Sequence, residues 1–161
     1  MTAADVLYFE DLHVGMITRS PARTVTEADI VSFAGLSGDY NALHTDAEAA
    51  AATAFGQRVA HGLLGVAIAS GLFTRTPLSQ ALQGSLLAML GLDWRFERPV
   101  LIGSTIHVEA EIVELRPTRK PAQGLVVLER RVIDETGARL QQGTTPMLVA
   151  RRSPEAEKGQ S

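Results

Sequence analysis

Apolar residues recur along this chain with two different periods, helical in the first half and strand-like in the second. Over residues 27–34, Ile30, Val31 and Phe33 are available for packing. Thr26 stands ready to cap that helix, with Asp29 at the third helical position completing a capping-box arrangement. Glu27 and Asp29 also suit the positive end of the helix. Gly35, Ser37, Gly38 and Asp39 then combine backbone freedom with local side-chain bonding and predict a turn. Thr45 or Asp46 is placed to cap a short helix over 47–54, whose repeated alanines favour helix but must pack against something bulkier.

Between Ala60 and Thr74 the segment AHGLLGVAIASGLFT sets Leu64, Ala67, Ile68, Gly71 and Leu72 at roughly helical spacing, which predicts a buried central helix. Interior glycines cost helix propensity, so Gly65 and Gly71 are expected to let a sheet approach the helix closely; the alternative is a glycine-rich loop. After that the period becomes two. Leu86, Ala88, Leu90, Leu92, Trp94 and Phe96 predict one long strand. Ile106, Val108, Ala110 and Ile112 predict another, with His107, Glu109 and Glu111 on its opposite face. Residues 125–132, a turn over 134–137 and residues 139–150 read as an antiparallel pair, in which Pro146 is expected at an edge, a bulge or a strand end. The fold class is therefore α+β with a mainly antiparallel sheet. One domain is expected over 1–150, followed by a loose tail over 151–161, RRSPEAEKGQS, which has no apolar face.

Composition narrows the function classes. A chain of 161 residues, 45% hydrophobic, is long enough for a single core without staples. Zero cysteine excludes disulfides, thiolate zinc sites, iron-sulfur ligation and cysteine nucleophiles. Fifteen Lys+Arg against eighteen Asp+Glu give a net charge of -3, which offers no reason to expect nucleic acid. The first dozen residues carry Asp5, Glu10 and Asp11 in place of a basic region and an apolar run, and the apolar stretch over 86–92 is far short of a bilayer span. A cytoplasmic location without membrane attachment is expected.

Candidate chemistry gathers in SGDYNALH, which holds Ser37, Gly38, Asp39, Asn41 and His44. A folded loop can aim the Asp39 carboxylate and the His44 imidazole at one substrate, with Asn41 bonding the loop backbone and Gly38 allowing close approach. The plainer reading is a capped turn in which Asp39 and Asn41 satisfy backbone amides and His44 packs. Further on, the free amides at a helix start near His61 and Gly62 can hold a developing oxyanion, and Gly62 leaves room for a ligand. A tight helix entrance needed only for packing explains the same glycine. His61 reads as a positioning or packing residue.

Taken together, SGDYNALH, the VAHGLLG segment and FERPVLIGSTI resemble the MaoC-like dehydratases, a family that includes R-specific enoyl-CoA hydratases with a hotdog fold. The resemblance covers about residues 8–149. It implies a long helix wrapped by an antiparallel sheet, commonly in a homodimer or a dimer-based higher oligomer that shapes acyl-CoA sites. It further implies Asp39 and His44 as catalytic residues, Asn41 as their support, and the Gly62 NH as a donor to the thioester carbonyl. Ala42 stands where many relatives have proline, which frees the unfolded loop without removing a functional group. Leu63 and Leu64 resemble the acyl-facing start of the helix.

The activity so implied is reversible R-specific hydration of a trans-2-enoyl-CoA to a 3-hydroxyacyl-CoA. It needs no metal and no cofactor, CoA being part of the substrate. Rivals are a hotdog acyl-CoA thioesterase, disfavoured because residues 62–74 hold no Asp or Glu, and a noncatalytic acyl-CoA-binding subunit. Arg95, Arg98, Arg116, Arg119 and Lys120 are the cations available to CoA phosphates, solubilising roles being the commoner use of such residues.

Overall fold

The computed structural model describes residues 6–152. A 3-10 turn (Phe9–Asp11) leads into β1 (Ile17–Arg19), β2 (Arg23–Thr24), α1 (Glu27–Ser37), α2 (Ala42–Thr45) and α3 (Ala47–Ala51). Next come α4 (Gly62–Phe73), α5 (Pro77–Ala81), β3 (Leu86–Met89), β4 (Asp93–Phe96), β5 (Thr105–Pro117), β6 (Gln123–Ile133) and β7 (Arg139–Ala150).

Helix boundaries follow side-chain chemistry. The Asp29 carboxylate accepts from both the amide (2.8 Å) and the hydroxyl (2.9 Å) of Thr26, and this box starts α1. The helix runs three residues beyond the expected end, to Ser37, and Gly38, with a φ of 77°, closes it in the left-handed region. Ile30 is buried and Phe33 partly so, but Val31 is 60% exposed and does not pack as anticipated. Asp46, not Thr45, caps α3, accepting from the amides of Glu48 and Ala49. That helix stops at Ala51, three residues earlier than expected, with Ala50 fully buried.

Every strand pairing is antiparallel. The order is β1-β5-β6-β7-β3, with β2 also on β5 and β4 also on β7. The central helix α4 lays Leu64, Ile68 and Leu72 against Ile106, Val108, Val132 and Leu140, each such side chain contributing roughly 1.5–3 kcal/mol on burial. A second cluster under the other end of the sheet joins Phe9, Phe73, Leu78, Leu82, Ile112, Leu128 and Met147. Among the described residues no helix is long and apolar enough to cross a membrane.

Three expectations need correcting. The long strand over 86–96 is two strands, because residues 90–92 leave the ladder. β3 pairs with residues 147–149 of β7 and β4 with residues 141–144. Pro146 sits at that break in an interior strand. Its carbonyl, which accepts from the Leu90 amide (2.8 Å), faces the gap, and on a strand its missing N–H faces the same way. Gly65 does admit the sheet, since a Cβ there would lie 2.3 Å from the Gln141 amide, whereas Gly71 faces open space. His107 lies on the face of β5 opposite Ile106 and Val108, as expected, and is buried there. Arg151 and Arg152 belong to the fold rather than to a loose tail: Arg151 pairs with Glu10 (3.1 Å), and Arg152 with Asp11 (2.6 Å). The remainder of the expected tail, 153–161, lies outside the described residues.

Candidate active site

Two short loops bring the polar constellation together. The first leaves α1 at Gly38, where positive φ and not a crowded neighbour calls for glycine: a Cβ there would meet nothing within 4 Å. Ser37 Oγ accepts from the Asp39 amide (3.2 Å), and the Asp39 carboxylate accepts in turn from the Asn41 amide (3.2 Å). Asn41 Oδ1 accepts from the Leu43 amide (3.0 Å) and so caps α2, the turn of helix that carries His44. These are the turn uses available to Asp39 and Asn41, and they leave the Asp39 carboxylate exposed.

His44 Nδ1 lies 2.8 Å from the carbonyl oxygen of Val59. A carbonyl only accepts, so in the neutral ring the proton sits on Nδ1 and the lone pair on Nε2. The second loop ends at His61, the N-cap of α4, whose Nε2 donates to the Asp39 carbonyl (2.9 Å). His61 is 2% exposed, and its ring lies 3.9 Å from that of His44, with 30° between their planes. Its far side meets Phe33 at 5.0 Å. One buried imidazole thus locks the backbone of the first loop to the start of the central helix. The ligand atoms of Asp39, His44 and His61 all lie within 4.8 Å of one another, a grouping that would offer three donors to a metal ion.

Gly62 opens α4, so its amide has no partner within the helix. A Cβ on Gly62 would come 2.9 Å from the Phe96 ring, so a side chain there would have to displace that ring. His44 and Gly62 line one cavity of about 300 Å³, walled also by Phe55, Val59, Phe96 and Arg98. The two leucines part company: Leu64 is buried in the core, while Leu63, 65% exposed, lines a separate hollow beside α4. Of the candidate CoA cations only Arg98 reaches the His44 cavity. Arg116 is paired with Glu114 (2.9 Å), and Arg95 faces a different hollow with Asp93 and Glu129.

Gln141 was not indicated by any motif. It is 1% exposed, accepts from Trp94 Nε1 (3.0 Å) and donates to the Gly62 carbonyl (3.2 Å), seating the start of α4 on β7. The signal that could have found it is an amide at an inward position of a core strand.

Residues 11–133 match the family described as MaoC like domain. A 3-hydroxybutyryl-CoA dehydratase from Methylorubrum extorquens is 37% identical over 118 residues, 73% of this chain and 71% of that protein. An (R)-specific enoyl-CoA hydratase from Aeromonas caviae is 36% identical over 129 residues, 80% of this chain and 89% of the other. A solved structure from Mycobacterium tuberculosis, described as a double hotdog fold, superposes with a TM-score of 0.78 at 26% identity, covering 93% of this chain and 46% of that one.

Proposed function

The chain belongs to the MaoC-like dehydratase family, with a hotdog fold, and from that premise we propose that it hydrates a trans-2-enoyl-CoA reversibly to the R-3-hydroxyacyl-CoA. The observation that carries the reading is that the exposed Asp39 carboxylate lies within 4.8 Å of the His44 imidazole, whose Nε2 is left free, and that His44 shares one cavity with Gly62 at the start of α4.

Water adds across the C2=C3 bond, its hydroxyl going to C3 and a proton to C2. As the hydroxyl attacks, electron density moves from the double bond onto the thioester oxygen. A rate gain therefore requires both removal of a proton from water and a donor at that oxygen. Asp39 and His44 jointly orient and deprotonate the water and return the proton to C2, and the Gly62 NH holds the oxygen. Oxyanion donors of this kind contribute about 3–4 kcal/mol elsewhere. The steps are addition of the hydroxyl to C3, proton transfer and polarisation of the thioester, with no net oxidation or reduction, so the reading calls for no dissociable cofactor and no metal. His61 and Gln141 act as positioning residues, fixing the Asp39 backbone and the helix start.

The acting unit in this reading is a homodimer. Leu86, Leu87, Met89, Leu90, Leu92 and Phe96 are all more than 40% exposed along the β3 edge and β4, an apolar border that a second copy would cover.

Loss of enoyl absorbance with formation of the 3-hydroxy thioester, without free thiol, is the expected assay result. Release of free CoA detected by a thiol reagent would assign the chain to the thioesterases instead, and stoichiometric binding without turnover would make it a carrier subunit.

A further inference from the structure

Arg130 is a charged side chain without a charged partner. It lies on β6, only 5% exposed, and makes no ion pair among the described residues. Its guanidinium carbon stands 4.2 Å over the Phe73 ring, Nη2 has only the Met147 sulfur at 3.8 Å, and Nε is buried with no acceptor. Leaving a guanidinium out of water without a carboxylate is costly, and such groups are normally paired. Burial alone brings its pKa down to about 10, so it stays charged at neutral pH.

Arg130 lines a hollow of about 200 Å³ whose other walls are apolar apart from Ser70: Leu63, Val66 and Ala67 of α4 with Met89, Leu92 and Trp94. Leu63 follows Gly62 directly, and Ser70 lies two turns further on, roughly 10 Å at 1.5 Å per residue. The hollow thus reaches the residue next to Gly62 along α4 and also holds a fixed positive charge. A plain alkyl tail fits the walls but leaves the arginine unanswered. A tail ending in a carboxylate answers both, and the planar fork of arginine is the side chain suited to a two-pronged carboxylate.

We propose that Arg130 receives the distal carboxylate of the acyl chain, so that this enzyme prefers medium-length enoyl-CoA thioesters with an ω-carboxyl group. The inference rests on the hydration reading and specifies its substrate class.

The test compares kcat/KM on matched pairs, hex-2-enoyl-CoA against hex-2-enedioyl-CoA and oct-2-enoyl-CoA against oct-2-enedioyl-CoA, for the wild-type protein, Arg130→Met and Arg130→Lys. The wild type should favour the carboxylated chain by tenfold or more in at least one pair. Arg130→Met should erase or reverse that ratio, and Arg130→Lys should retain part of it. Should Arg130→Met fail to fold, Arg130→Lys and the wild-type ratio still decide. A wild-type ratio near one, or a ratio unmoved in the variants, overturns the inference. A ratio unmoved in Arg130→Met while light scattering shows the dimer weakened would assign the arginine to the subunit contact. Calorimetric binding of adipyl-CoA against hexanoyl-CoA separates this question from catalysis. If neither enoyl substrate is hydrated but adipyl-CoA binds tenfold tighter in an Arg130-dependent way, the hydration reading fails and the carboxylate site stands. Hydration of both chains without preference has the opposite meaning.

Discussion

At the scale of single residues, the site depends on which atoms are already committed and which are left over. His44 commits Nδ1 to Val59 and keeps Nε2; Asp39 commits its amide and carbonyl and keeps an exposed carboxylate with one weak internal bond. Removing either group should lower kcat by about 10²–10⁴-fold, the range of a lost general acid or base. The measurement is steady-state hydration by purified Asp39→Asn and His44→Ala with unchanged thermal melting, and near-wild-type rates in both would remove these residues from the mechanism. The loop residues were legible because they are neighbours in sequence, with polar groups crowded into eight positions. Val59, Phe96 and Gln141 were not, because their roles arise only when a carbonyl, a ring and an amide from distant segments meet that loop or the start of α4. No local pattern records such meetings.

At the scale of elements, α4 shows why identical residues in one helix differ in meaning. Both Gly65 and Gly71 were expected to admit the sheet, yet only Gly65 does so. An added Cβ at Gly65 must push Gln141 away from Trp94 and from the Gly62 carbonyl, so Gly65→Ala should destabilise by about 1–3 kcal/mol. Gly71 is exposed with open space around it, so Gly71→Ala should stabilise by roughly 0.5–1 kcal/mol through backbone entropy and helix propensity. Urea denaturation of the two variants should move the midpoint in opposite directions. Periodicity located α4 to within two residues, and the capping residues located the start of α1. Alternation at 86–96 misled, because it persists through a gap in backbone pairing. Apolar side chains can alternate whether or not the ladder continues, and the interruption was written in Pro146 on the neighbouring strand.

At the scale of the whole molecule, stability and assembly both turn on groups away from the site. His107 is held below the ordinary histidine pKa by burial first and by Arg19 second, with Glu109 and Asp134 acting in the opposite sense. A neutral imidazole is therefore favoured in the folded state and the unfolded chain binds more protons. Stability is full above about pH 6.5, the unfolded value, and falls as the pH drops from there through the lower folded value. Thermal melts across pH 5 to 8 should show this slope, and His107→Gln should flatten it. Assembly is testable at the apolar border: Met89→Lys places a charge on an edge residue that is 59% exposed and should shift the light-scattering mass from dimer toward monomer. That border was readable as apolar, but alternation reports hydrophobicity without saying whether the same chain or another one covers it.

The seam between β3 and β4 has a bearing on how such a molecule can change. Because Pro146 contributes no N–H where residues 90–92 bow out, the crossing is held by a single bond from Leu90, and the rest of the ladder does not depend on its length. An insertion or deletion there would leave the register of β7 on β6 intact. It would move Leu92 and Trp94, which face the Arg130 hollow, and Phe96, which walls the His44 cavity. If the chain hydrates enoyl thioesters as proposed, a residue added or removed at this seam is expected to change which acyl chains are accepted.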